Sequence, residues 1–141
     1  MLQMFAASQE LQEEVMGVDE LLKRYSAGQR DFTNVDLTQA NLRAAQLPGA
    51  NFRGSRLTKA ILCEANLTKV NLSGADLRGA DLRGAILVNA NLNKANLSGA
   101  LLFKANFFKA KLFGANLEQT DLWEAFLLSG SYLPESILLD E

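Results

Sequence analysis

The chain has no histidine, one cysteine, two prolines and one tryptophan among its 141 residues. Without histidine, the common imidazole-based nucleophile triads and zinc ligand sets cannot be assembled, and the lone Cys63 excludes an internal disulfide. No apolar run approaches the roughly 20 residues that a membrane-spanning helix needs. No basic segment leads into an apolar stretch of signal length at the start, so the expected location is the cytoplasm. An excess of one charge is missing too: 14 Lys and Arg face 16 Asp and Glu, a net charge of −2. The length corresponds to one domain.

What is present is a repeat. From Arg30 to Pro134 a small residue, then usually Asn or Asp, then Leu or Phe, recurs every five residues without an insertion, most plainly in Ala75-Asp76-Leu77-Arg78-Gly79 and Ala80-Asp81-Leu82-Arg83-Gly84. The large apolar residue is the centre of each pentad, and the centres run from Phe32 to Tyr132: 21 pentads with 17 Leu, three Phe and one Tyr. An α-helix turns about 100° per residue, so a five-residue step of roughly 140° scatters these side chains around the cylinder. A straight strand alternates faces with every residue and sends successive centres to opposite sides. A chain that bends once per pentad by about 90° turns all centres inward and closes one coil every four pentads, which is the logic of a solenoid.

The remaining positions agree. Two residues before the centre stands Ala in 15 of the 21 pentads, with Val35, Val70, Ser55, Thr120 and Gly130 among the rest, as a lumen shared with four Leu per layer requires. After each centre come two corner residues, where Gly occurs at 49, 54, 74, 79, 84, 99 and 114 and Asn at 34 and 89, predicting positive φ at many corners. Pro48-Gly49 has the order of a type II turn. These residues resemble the pentapeptide-repeat family, with its A(D/N)LXX motif, including members from photosynthetic bacteria. The resemblance implies an all-β solenoid, a right-handed quadrilateral β-helix, here of about five coils. It also brings two analogies: regulators in photosynthetic bacteria, and acidic DNA mimics that bind type II topoisomerases.

Three segments follow: residues 1–29 as an N-terminal α-helical cap, 30–134 as the β-helix, and 135–141 as a C-terminal tail or cap. In the first, Leu11, Val15, Val18, Leu22 and Tyr25 have amphipathic helical spacing, interrupted by Gly17. Either one kinked helix or two short ones fits, with Asp19 as a second N-cap and Gly28 closing the end. A helix over the first coil covers an open Leu layer and unpaired backbone. In the last segment Ile137, Leu138 and Leu139 can fold over the final layer.

No catalytic, metal or cofactor residues emerge, and the expectation is a protein that is not an enzyme. Asp36, Arg56 and Asp76 lie 20 apart and form an alternating column, expected as a surface salt-bridge ladder. Cys63 on an outer corner reads as incidental. A DNA mimic needs a face crowded with carboxylates. The most acidic face sets Glu64, Asp81, Asp121 and Glu124 against Arg43, Arg83 and Lys104, a net of −1, which counts against that reading.

The outward corner residue turns aromatic or large in the last coils, as Phe103, Phe108, Phe113, Trp123, Leu128 and Leu133, and the usual Asn or Asp gives way to Leu101 and Phe126. A contiguous apolar patch marks an interface. The leading expectation is therefore a non-enzymatic protein-protein interaction or scaffold module that docks a partner or a second copy through these eight residues. Two other readings stay open: cover by the tail, and stacking that merely stiffens the rod. The alternative function is a nucleic-acid mimic or binder acting on a topoisomerase or DNA, or a contact with anionic lipid, since Lys94, Lys104, Lys109 and Lys111 interleave with the Phe residues.

Overall fold

A computed structural model describes residues 14–122 and 125. Strand β1 (Glu14–Val15) is followed by helix α1 (Val18–Ser26) and strand β2 (Val35–Asp36). From there the chain winds as a solenoid in which each residue just before a centre pairs in parallel with the residue 20 further on, from Asp31 with Asn51 to Leu101 with Asp121. One coil is therefore four pentads. We call the four sides face A (centres Leu42, Leu62, Leu82, Leu102 and Leu122), face B (Leu47, Leu67, Leu87 and Phe107), face C (Phe32, Phe52, Leu72, Leu92 and Leu112) and face D (Leu37, Leu57, Leu77, Leu97 and Leu117).

The centres point inward as the pattern predicts. Those from Phe32 to Leu112 are buried, while Leu117 and Leu122 are partly buried against the same core. Between them sit the small residues, Ala from 50 to 115 together with Val35, Val70 and Ser55, the one buried polar side chain among the described residues. Phe32 and Phe52 stack with centroids 5.6 Å apart.

The role of each motif position follows from asking where its five backbone N–H groups go. Around Leu82, the Asp81 N–H donates to Ala60 O of the preceding coil at 2.9 Å. Leu82 and Gly84 donate to Leu101 O and Phe103 O of the following coil at 2.8 and 2.9 Å, and Ala85 closes the corner on Leu82 O at 3.0 Å. The fifth donor, Arg83 N–H, points along the outside, where Asp81 Oδ1 accepts it at 3.1 Å. Asn or Asp is thus the side chain that satisfies the one donor the solenoid leaves over. The same bond joins Asn71 to Ser73, Asn91 to Asn93 and Asn106 to Phe108. The pentad of Leu47 has Gln46 instead, and the residue equivalent to Arg83 is Pro48, which has no N–H to satisfy. Lys111 cannot accept, and Phe113 N–H goes to Asn93 Oδ1 of the preceding coil at 3.0 Å.

Every second corner residue from Asn34 to Gln119 has positive φ, seven of them Gly and eleven bearing a side chain, including Ala44, Lys59, Glu64 and Lys94. The sequence pointed to Gly and Asn alone. Elsewhere the repeated inter-coil bonds impose the left-handed conformation on residues that do not favour it. Pro48-Gly49 forms the expected turn, with Gly49 at φ 73° and Ala50 N–H on Leu47 O at 3.1 Å.

One expectation is corrected. The N-terminal segment is not helical throughout: Val15 is extended and 80% exposed, and Glu14 and Val15 pair with Val35 and Asp36, an offset of 21 residues. Met16 then turns inward and is buried like a pentad centre. Gly17, not Asp19, occupies the N-cap, and Asp19 and Glu20 lie in the first turn. The end matches expectation: Gly28 has φ 103°, and Gln29 N–H reaches Arg24 O at 2.9 Å. Leu21 is fully buried, with Val18, Leu22 and Tyr25 packed against the core. The Tyr25 hydroxyl donates to Pro48 O at 2.6 Å.

The Asp36, Arg56 and Asp76 column is present on face D, and its carboxylates also bond within their own pentads. Asp36 accepts from Thr38 N–H and hydroxyl, and Asp76 is gripped by Arg78, with Nη2 2.7 Å from Oδ2. Carboxylates are drawn along their own chain by the fifth N–H, and the residue bearing that N–H answers them. Arg56 stands between Asp36 and Asp76 in that column, pairing in parallel with each through the backbone, and its charge helps to lower the Asp36 pKa.

Candidate interaction surface

The lower coils carry four of the eight residues named from sequence, spread over three successive faces. Phe113 on face C is 70% exposed and Leu101 on face A is 41% exposed. Phe103 on face A and Phe108 on face B are half-buried. Trp123, Phe126, Leu128 and Leu133 lie outside the described residues, as do Leu11, Pro134 and the segment 135–141. Each Phe sits one coil below Arg83, Val88 or Asn93, so part of its ring is covered from above. Lysine covers more: Lys104 Nζ lies 5.2 Å from the Phe103 centroid, and Lys109 Nζ lies 5.4 Å from that of Phe108. Sequence spacing located these rings on successive faces. It showed Lys104 and Lys109 interleaved with them but not lying over the rings, because a corner lysine in the left-handed conformation is aimed by backbone geometry.

Face A also carries a shallow groove of about 360 Å³ bordered by Arg43, Cys63, Glu64, Arg83, Phe103 and Lys104. Its charges are largely matched. Arg83 Nη2 meets Asp81 Oδ2 at 2.7 Å, and Arg43 Nη2 lies 3.5 Å from Glu64 Oε1. The Arg83 hydrogen bonds hold Asp81 below the usual carboxylate range, with Arg43 adding to the effect. Arg78 does the same for Asp76, and the hydroxyls of Thr33 and Thr38 do so for Asp31 and Asp36. These shifts come from stable partners rather than from a site poised to transfer protons. Among the described residues no three His, Cys, Asp or Glu side chains are grouped to hold a metal. Likewise, no helix among them is long and apolar enough to cross a membrane.

A family model of pentapeptide repeats, with eight copies, matches residues 31–68, 45–84 and 65–102. The chain belongs to the pentapeptide-repeat family. Among solved pentapeptide-repeat structures it is similar to Rfr23 from the cyanobacterium Cyanothece 51142, at 45% identity and a TM-score of 0.60, over 70% of this chain and 63% of that one. It is also similar to a pentapeptide-repeat protein from the Arabidopsis thaliana thylakoid lumen, at 34% identity and a TM-score of 0.52, over 71% and 66%. QnrB1, a plasmid-mediated fluoroquinolone resistance protein, shares the fold at 21% identity and a TM-score of 0.59, over 72% and 62%. The matched region spans less than two thirds of each of these proteins. No curated protein sequence matches.

Proposed function

We propose that this pentapeptide-repeat protein is a non-enzymatic interaction or scaffold module, working in the cytoplasm and docking a protein partner or a second copy through the aromatic surface of its lower coils. The observation that carries this reading is the corner residue Phe113, 70% exposed, on a solenoid whose described pentad centres are turned inward. The lumen of the described coils is filled by buried Leu, Phe and Ala, which supports a non-catalytic role. We further infer a right-handed rod of about five coils over residues 30–134. Residues 1–29 cap one end and 135–141 the other, and Trp123, Phe126, Leu128 and Leu133 continue the patch begun by Leu101, Phe103, Phe108 and Phe113.

The test compares wild type with a Phe108→Glu, Phe113→Glu variant by size-exclusion chromatography with light scattering and by affinity capture. Both side chains leave the surface, so the variant folds, as circular dichroism will verify. The expected result is that it loses either the second copy or the captured protein. A variant that keeps the wild-type mass and the wild-type partners overturns the reading.

A further inference from the structure

The four faces differ in charge. Residues 45–54, 65–74, 85–94 and 105–114, which make up face B and face C below the first coil, contain no Asp or Glu. They carry Arg53, Lys69, Lys94, Lys109 and Lys111, all exposed. Faces A and D hold Asp36, Glu64, Asp76, Asp81, Glu118 and Asp121, and there Arg43, Arg78 and Arg83 are matched by carboxylates. Among the described residues none of the five cations on faces B and C has such a match. Between Arg53 and Lys94 runs a groove of about 460 Å³ lined by Asn71, Ser73, Asn91 and Asn93. Asn71 Oδ1 accepts from Ser73 N–H and hydroxyl, Asn91 Oδ1 from Asn93 N–H, and Asn93 Oδ1 from Phe113 N–H. With the amide oxygens consumed by the chain itself, the groove offers mainly amide N–H donors between two cations.

Resting on the docking reading above, we propose that faces B and C are where the partner binds, and that the partner presents an extended acidic protein segment. Arg53 and Lys94 lie two coils apart, about 10 Å at the spacing of β-strands, and three residues of extended chain cover the same distance. Carboxylates at that interval meet both cations, the amide donors serve backbone carbonyls or carboxylates between them, and Phe113 beside the groove receives an apolar neighbour. A long nucleic acid fits less well. Its phosphates would extend past the five cations to the carboxylate of Asp31 in the first coil of face C, and the Phe108 ring is already occupied by Lys109.

Labelled poly-L-glutamate is the probe, with a single-stranded DNA oligonucleotide as the competing arm, both followed by fluorescence anisotropy. The variants are Arg53→Glu, Lys94→Glu, Lys111→Glu combined, and Lys59→Glu on face D as control. The expected result is polyglutamate binding that weakens with ionic strength, falls at least about tenfold in the triple variant and is unchanged in the control. Lack of binding by wild type, equal binding by the triple variant, or tighter binding of DNA each overturns the proposal. If charge reversal has no effect while Phe108→Glu, Phe113→Glu still loses the captured protein, the acidic partner is discarded and the docking module remains.

Discussion

At the scale of the residue, the motif is a solution to backbone hydrogen bonding as much as to packing. The exception is instructive: in the corner from Phe32 to Val35 the direct bond is replaced by a hydroxyl from the next coil. Val35 N–H donates to Ser55 Oγ at 3.1 Å, and that hydroxyl donates to Phe32 O at 2.9 Å. Ser55→Ala leaves a buried donor and acceptor facing one another across a gap. Urea denaturation is expected to show a loss of about 1–3 kcal/mol; a change below about 0.5 kcal/mol means that the corner closes unaided. Left-handed corners give the opposite sign. Ala44 has φ 57°, a conformation costing about 1–2 kcal/mol without glycine, and glycine returns about 0.4–1 kcal/mol of that as unfolded-chain entropy. Ala44→Gly should therefore raise stability by about 0.5–1 kcal/mol. Gly54→Ala should lower it, because the new Cβ meets Asn34 Oδ1. Corners with Gly or Asn were legible in the sequence because those residues advertise positive φ. Lys59 was not: its geometry is set by bonds from its own N–H to Arg78 O and from Ala60 N–H to Leu57 O.

At the scale of the element, inward and outward positions alternate within three residues. Leu82 is fully buried, and Leu82→Asp places a charge in a lumen with no partner, at a cost of several kcal/mol. Asp81→Asn keeps an oxygen for Arg83 N–H, and its thermal midpoint should stay near that of wild type. Equal tolerance of both changes would mean that the assignment of inside and outside is reversed. Asp31, Asp36, Asp76 and Asp81 all have lowered pKa values in the folded state. Their contribution is present above the unfolded carboxylate value of about 4 and is lost as pH falls through the lower folded values. Urea midpoints should therefore drop below about pH 4, and replacing Asp36, Asp76 and Asp81 together by Asn should flatten that decline. Helix α1 shows why part of this level was hidden. Val15, Val18, Leu22 and Tyr25 satisfy helical spacing, yet β2 offers an edge that Glu14 and Val15 complete, and pairing to that edge overrides a local preference. Met16, flanked by Val and Gly, carries no mark of a pentad centre.

At the scale of the whole molecule, the packing of Leu21 against the first coil bears on solubility. Leu21→Asp should loosen α1, uncover the layer holding Leu42 and Leu47, and produce end-to-end association visible as rising scattering mass with concentration. A monomer at every concentration would remove the blocking role of the cap. The solenoid and the direction of each Phe were readable from the five-residue period, because period alone decides which side chains turn inward. The distribution of cations was also in the sequence, but it becomes visible only once residues are sorted by the 20-residue coil instead of along the chain. The uniform pentad carries one more implication, for chain length. Duplicating 20 residues lengthens the rod and keeps Phe113 in line with Asn93, whereas an insertion of five rotates everything after it by a quarter revolution and takes the phenylalanines out of line with the coils before it. Chains that differ by whole coils can thus keep the same residues in one column, while those differing by single pentads must move them to another side.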